Sequence, residues 1–354
     1  MKIVLRNIWL LSIVVLLLCS CDDKFSANAA WSDIPVVYGL LDQDEDTTFV
    51  RVQRCFVGDG DQREFAQMVD SIYYPDGAVT VKMEAWASYI DSKGLQIRTG
   101  DAPVRVFDFN TIRIDDKEEG VFDKGGYNAF CCRTKDLLDT SCVYRLILIN
   151  AASGDTLATA ETPLIYGTIH LNKPNTNSPF SFSGVGANKK CDITWTSIRN
   201  ARRYQPRVLF KYHDFIDTTY SNGVRDTIMT PHEVSIACPE VKNDMTSTQI
   251  TSSLFQTTFL NIIKQSIDDY SINKVPEDSV TLYVECCTED MAAYIYAQSP
   301  NGSINQDIYN YTNVSGGVGV FAARRTHISF EVPTRSESRS GYRIALRDLG
   351  VGFH

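Results

Sequence analysis

Histidine is scarce in this chain, five residues in 354, and His170, His213, His232, His327 and His354 stand far apart. No two of them show the i, i+4 spacing that sets paired metal ligands on one helix face. HExxH, GxSxG and the phosphate-binding loop are all missing. Catalysis normally needs a poised base or nucleophile held by partners, so the scatter favours a protein that binds without turnover and needs no cofactor or metal. Basic residues are also short, 34 Lys and Arg against 43 Asp and Glu. A surface with that deficit cannot replace the counterions of a phosphate backbone, which argues against nucleic acid. Long apolar runs are missing too, apart from one near the start. That run, Ile8 to Leu18, is about half of the roughly 20 residues a membrane-spanning helix requires.

The short run has a direction. Lys2 and Arg6 precede it, Leu18-Cys19-Ser20-Cys21 ends it, and Cys21-Asp22-Asp23-Lys24 stops the apolar pattern with charge. This is the order of a secretory signal. Leu18-Cys19-Ser20-Cys21 further resembles a bacterial lipobox, which implies cleavage before Cys21 and lipid on that thiol. Residues 1–20 are then the signal peptide and 21–33 a lipidated tether holding the domain to a membrane by acyl chains. A cut near Ala29-Ala30, giving a soluble secreted protein, is the competing reading. Acidic residues straight after the lipidated Cys resemble a surface-export signal, while Asp22 also resembles an inner-membrane retention signal, so the face of the membrane stays open. Removing residues 1–20 removes Lys2 and Arg6 and no acid, which moves the formal charge from −9 to −11.

Ten cysteines are present, and Cys19 and Cys21 are accounted for. The other eight, Cys55, Cys131, Cys132, Cys142, Cys191, Cys238, Cys286 and Cys287, form an even set in a chain bound for a disulfide-permissive compartment. None of them shows CxxC spacing. A bridge from Cys131 or Cys132 to Cys142 is one reading, and ordinary buried thiols are the other.

From Ile34 onward the pattern is that of strands. Val36 to Leu41 is a short apolar run, and after Asp42-Gln43-Asp44-Glu45-Asp46 the residues Val50, Val52 and Phe56 alternate with Arg51, Gln53 and Cys55. Val79 to Trp86, Val104 to Ile114 and Val143 to Ile149 continue the pattern between Gly-, Asp- and Pro-containing turns, and Arg63 to Ile72 reads as one helical excursion. The expectation is a mainly β protein of two sandwich domains, 34–172 and 180–354, joined by Lys173-Pro174-Asn175-Thr176-Asn177-Ser178-Pro179.

The second domain opens with "CDITWTSIRNARRYQPRVLFKYHDF". Ile193 and Trp195 share one face, and Tyr204, Val208, Phe210 and Tyr212 alternate with Arg203, Arg207 and Lys211. This stretch resembles the B and C strands of a fibronectin type III or immunoglobulin-like sandwich, with Trp195 and Tyr204 in the core-aromatic positions. Thr227 to Ile236 and Val280 to Glu285 read as further strands. A helical insertion is expected over Leu254 to Ile267, capped by Ser252 or Ser253, with a short helix over Glu289 to Gln298.

Asp42, Asp44 and Asp46 resemble the start of a calcium loop, but Thr47 and Gln53 occupy the places of its Gly and Glu, so solvated turns are preferred there and at Gly58-Asp59-Gly60-Asp61. In "YTNVSGGVGVFAARRT" the glycines Gly316, Gly317 and Gly319 lack the context of a nucleotide loop, and close backbone packing before a strand is preferred. Tyr73, Tyr74, Trp86, Tyr294 and Tyr296 could form an exposed sugar-stacking platform in a glycan binder, but core packing is preferred for each.

The segments "VVYGLLDQDEDTTFVRVQRCFVGDG" and "YTNVSGGVGVFAARR" resemble the opening and closing signatures of a Bacteroidota outer-membrane lipoprotein family of unknown function. That resemblance implies a β-rich, lipid-anchored outer-membrane protein, a possible companion of an outer-membrane transporter, and carries no catalytic residues. Asp-Ser/Thr tripeptides at Thr47, Ser71, Thr156, Thr218, Thr227 and Ser279 resemble the O-glycosylation sites of those bacteria. A glycan-acting hydrolase with two carboxylates on loops, or a fimbrial or surface-assembly subunit pairing through an edge strand, are the rival functional classes.

Overall fold

The computed structural model describes residues 34–55, 68, 72–115, 126–219, 223, 225–243, 247–298, 311–326, 328–334 and 341–354. The signal region, the tether with Cys21, Gly58-Asp59-Gly60-Asp61, Ser71 and most of the expected helix over 63–72 lie outside them. Strands dominate, as the period-two patterning implies.

One ten-stranded sheet organises the molecule. Its path runs β13 (Arg225–Ala237), β12 (Arg203–Thr219), β16 (Asn273–Cys287), β17 (Val318–Arg325), β1 (Pro35–Asp42), β2 (Thr47–Arg54), β7 (Tyr127–Arg133) and β6 (Asn110–Ile114). Off this path, β14 (Val241–Lys242) pairs with β12, and β18 (Ser329–Pro333) pairs with β16. Every pairing is antiparallel except β1 with β17, where Val36 to Asp42 run alongside Val318 to Arg324.

Two smaller sheets complete two cores. A five-stranded sheet of β3 (Val79–Ile90), β4 (Gln96–Arg98), β5 (Arg105–Asp108), β8 (Cys142–Asn150) and β9 (Thr156–Pro163) packs Met83, Tyr144 and Leu146 against Val37, Leu41, Val50 and Phe130. A three-stranded sheet of β10 (Leu171–Lys173), β11 (Lys190–Thr196) and β15 (Gln249–Phe255) packs Ile193, Trp195 and Leu254 against Tyr204, Val208, Phe210 and Leu282. Each strand puts its apolar phase inward because successive side chains alternate faces. Helices α1 (Gln256–Gln265) and α3 (Gly341–Asp348) bring Phe259, Ile263, Tyr342 and Leu346 to the second core.

The cores divide between Leu164 and Ile165, earlier than the expected linker, and the first core takes Val314, Phe321 and Ala323 from the far end of the chain. Boundaries at 172 and 180 therefore do not separate two self-contained sheets, since one sheet runs through both halves. The Lys173–Pro179 stretch is a turn, with Asn175 accepting from the Asn177 and Ser178 amides and Phe180 fully buried just beyond it.

Trp195 and Tyr204 meet between sheets as the sequence predicts, both fully buried, with ring centroids 5.6 Å apart at 62°. The Tyr204 hydroxyl accepts the Ile198 amide hydrogen at 3.0 Å. Ser252 and Ser253 do not cap the helix. They lie in β15, opposite Ile193 and Asp192, because Ile250, Ser252 and Leu254 alternate inward and the helix starts only after Phe255. No disulfide joins Cys131 or Cys132 to Cys142: all three are free thiols, on strands β7 and β8 of different sheets. The second expected helix is α2 (Glu289–Gln298), with Glu289 and Asp290 in the first turn, where negative charge complements the helix dipole.

Candidate functional site

The two signature segments form one seam. Along it, Val37 pairs with Gly319 and Gly39 with Phe321. Gly319 has φ +121°, and a Cβ there would stand 2.0 Å from the Val37 carbonyl oxygen. Gly316, at φ +80°, lies as close to the β9 backbone, 2.4 Å from the Leu157 oxygen on the same measure. The glycines are there for backbone approach, as expected.

Polar residues lock the same seam. Asn313 donates to the Phe321 carbonyl at 2.7 Å and accepts the Phe321 amide at 2.9 Å. Arg324 donates to Asp42 at 2.7 Å, Arg325 to Asp44 at 3.0 Å, and the Thr326 amide to Asp44 at 2.8 Å. The reading of Asp42 and Asp44 as solvated turn residues is thus corrected, while Asp46 is an exposed turn residue as expected. Asp42 is 7 % exposed at its side chain, and Asp46 is paired with Lys135 at 2.6 Å. The Lys135 hydrogen bond holds the Asp46 carboxyl below its ordinary value. Their oxygens are committed to arginine, threonine and lysine, and no metal cluster occurs among the described residues.

The seam also positions α2. Thr288, just before the helix, donates its amide to the Ala323 carbonyl at 2.9 Å and accepts the Ala323 amide at 3.2 Å. The Tyr311 hydroxyl donates to Asp290 at 2.6 Å. Burial nonetheless raises the Asp290 carboxyl above its ordinary value, outweighing that hydrogen bond. The folded state binds this proton more tightly than the unfolded chain does, so the stability it contributes is present in acid and lost as pH rises through the raised value. Asp290→Asn keeps an oxygen for Tyr311 and removes the charge. The variant is expected to match the parent in acid and to exceed it at neutral pH, as read by paired urea denaturations. A parent more stable than the variant at neutral pH contradicts this account.

Held in this way, α2 stands beside the outward face of the ten-stranded sheet and encloses a cleft of 420 Å³. Tyr38 and Leu40 of β1, Phe49 of β2, Val320 of β17 and Ala129 of β7 line it, with Met291 and Tyr294 from the helix. The Tyr38 and Tyr294 rings meet at 6.0 Å, edge to face, and burial pushes the Tyr294 hydroxyl up to about 12. Phe49 is 50 % exposed.

Among the described residues, the one cation lining the cleft is Arg51, whose guanidinium carbon sits 4.7 Å above the Tyr127 ring. On the other side Tyr127 stacks on Tyr73 at 5.8 Å and 6°, and borders a second hollow of 220 Å³ lined by Asp76, Arg113 and Asn128. Met291 also borders a third hollow, of 130 Å³, containing Arg203, Glu285, Arg324 and Arg325.

The proposed sugar platform does not form as one surface. Tyr73 and Trp86 are buried, Tyr74 and Tyr294 are half-buried beside separate hollows, and Tyr296 is exposed under Lys242. Phe49, Arg51 and Tyr127 have no place in the sequence reading of function. Their signal was available: Tyr38, Leu40 and Phe49 are large apolar residues on the outward phase of neighbouring strands, where polar side chains are the rule.

Of the candidate glycosylation positions, Thr156 and Thr227 are exposed, the latter donating to Asp217 at 3.0 Å. Thr47, Thr218 and Ser279 are half-buried in strands, and Ser279 donates to Glu331.

One histidine is less isolated than its spacing implies. His232 lies 3.1 Å from Asp214 and stacks on Tyr212, while buried Lys274 is 3.7 Å from the same carboxylate. Lys274 also donates to the Asp269 and Ile272 carbonyls at 2.6 and 3.0 Å, so this group fastens the loop before β16 to the β12–β13 hairpin. No family model matches the chain, and no curated protein matches it.

Proposed function

We propose that this chain is a lipid-anchored envelope protein, carried on Cys21 at the outer membrane, that works by binding and not by turnover, as an accessory component of a transporter-associated complex. The observation that carries the reading is the cleft beside α2. Its 420 Å³ falls in the range of roughly 300–1,000 Å³ typical of small-ligand sites, and its lining is mainly apolar and aromatic. Large apolar side chains left on an outward sheet face commonly mark contact surfaces. In this reading the two cores belong to two immunoglobulin-like sandwiches that share one sheet, which the Trp195–Tyr204 contact between sheets supports. Thr156 and Thr227 are the best presented positions for glycosylation.

The test combines anchoring with binding. Cys21→Ala is expected to release the protein from membranes or leave it as precursor. Phe49→Asp, at a half-exposed position, is expected to remove what co-purifies with the membrane-held protein while leaving its melting temperature unchanged. Retention of the same partners by the Phe49→Asp variant would sink the cleft as the contact point. Reproducible hydrolysis of polysaccharides or model esters that vanishes on replacing a single Asp or Glu would promote the hydrolase reading.

A further inference from the structure

Among the described residues, Arg51 faces no acidic side chain across the sheet. Its neighbours across the sheet are Tyr38 on β1 and Ala129 on β7, neither of them acidic. Its Nε atom is buried without an acceptor among the described residues. The contrast with the seam is direct, since Arg324 and Arg325 face Asp42 and Asp44, and Arg203 and Arg207 face Glu240 and Glu285.

The guanidinium carbon lies over the Tyr127 ring, a cation–π contact that uses none of its N–H donors and leaves Nε unsatisfied. A buried donor without an acceptor is costly, and a guanidinium edge matches the two oxygens of a carboxylate. Beside it lies an apolar hollow floored by Leu40, Phe49 and Val320 and bounded by Tyr294.

From this geometry we infer that the cleft takes a small organic acid: one carboxylate set on Arg51 and an apolar or aromatic body over Leu40, Phe49 and Val320. The inference rests on the binding function proposed above and names its ligand class. A small molecule is favoured over a protein surface because the hollow is of ligand size and holds one charge, whereas a stable protein interface buries about 800 Å² on each partner.

The probes are 4-phenylbutyrate, 4-phenylbutanol and 4-phenylbutylamine, three bodies of one shape with different head charge. They are titrated calorimetrically into the full chain held in phospholipid nanodiscs, with empty discs as blank. Phenylbutyrate is expected to bind one per chain, more tightly than the alcohol, with the amine weakest. Arg51→Gln is expected to weaken phenylbutyrate on the order of tenfold, the scale of a lost charge-assisted hydrogen bond, and to leave the alcohol unchanged. The unchanged alcohol also shows that the variant has folded.

Equal binding of acid and alcohol, with no effect of Arg51→Gln, overturns the assignment of the carboxylate. So does absence of all three probes from the parent protein. Binding of an apolar peptide with a free C-terminus, but not of phenylbutyrate, overturns the small-acid assignment in favour of a protein partner. If the probes fail while Phe49→Asp still abolishes co-purification, this inference falls and the binding function stands.

Discussion

Trp195→Ala is expected to lower the stability of the folded chain by about 3–5 kcal/mol, the range for removing a large buried aromatic. Trp195 has no solvent exposure, and its indole packs on Tyr204 across the gap between the three-stranded and ten-stranded sheets. Little can collapse into the space, because Ile193, Leu254 and Phe210 are already held by strand pairing. The indole Nε1 has no acceptor, so Trp195→Phe removes volume without breaking a hydrogen bond. That variant is expected to lose less, about 1–2 kcal/mol, because the cost grows with the volume of the cavity left behind. Urea denaturation of the three proteins checks both numbers. An alanine variant within about 1 kcal/mol of the parent would mean that the aromatic pair does not hold the sheets together.

The second large effect is expected at Gly319. Its positive φ penalises any side chain by about 1–2 kcal/mol, and the new methyl group would press on the Val37 carbonyl, where overpacking typically costs about 1–3 kcal/mol more. Gly319→Ala should therefore lose about 2–5 kcal/mol in all, with hydrogen exchange rising along Val36 to Leu41 as the parallel pairing loosens. Gly77 also has positive φ, but nothing lies within 4 Å of a Cβ built there, so Gly77→Ala should show the dihedral cost alone. Similar losses at the two positions would refute the claim that backbone proximity is what demands glycine at Gly319.

The sequence displays those parts of the fold that depend on neighbours along the chain. Tyr204, Val208, Phe210 and Tyr212 alternate with Arg203, Arg207 and Lys211, and β12 buries them accordingly. Trp195 and Tyr204 belong to strands whose inward phase is plain, which is why their burial could be anticipated. The pairing of Val37 with Gly319 could not, because period-two patterning specifies a face and not a partner nearly three hundred residues away.

The same gap explains the aspartates. Asp42 and Asp44 look like turn residues until Arg324 and Arg325 are placed beside them. Ser252 shows the opposite failure, where capping chemistry was read into a residue whose hydroxyl donates to the Pro239 carbonyl from within a strand. The cleft was legible only in part. Tyr294 stood out as an aromatic on a short helix, while Arg51 looked like any solvent-facing basic residue on a strand, and its want of a partner is a fact of three dimensions.

The parallel β1–β17 pairing also imposes an order in time. During synthesis β1 emerges nearly three hundred residues before β17, which at roughly 5–20 residues per second separates them by tens of seconds. Through that interval β1 has β2 on one side and an unpaired edge on the other, and the first core waits for Phe321 and Ala323. Closure by such distant contacts is inherently slow. The first core therefore reaches its final form only once β17 has been made, so a chain interrupted anywhere before Val318 leaves β1 with an open edge.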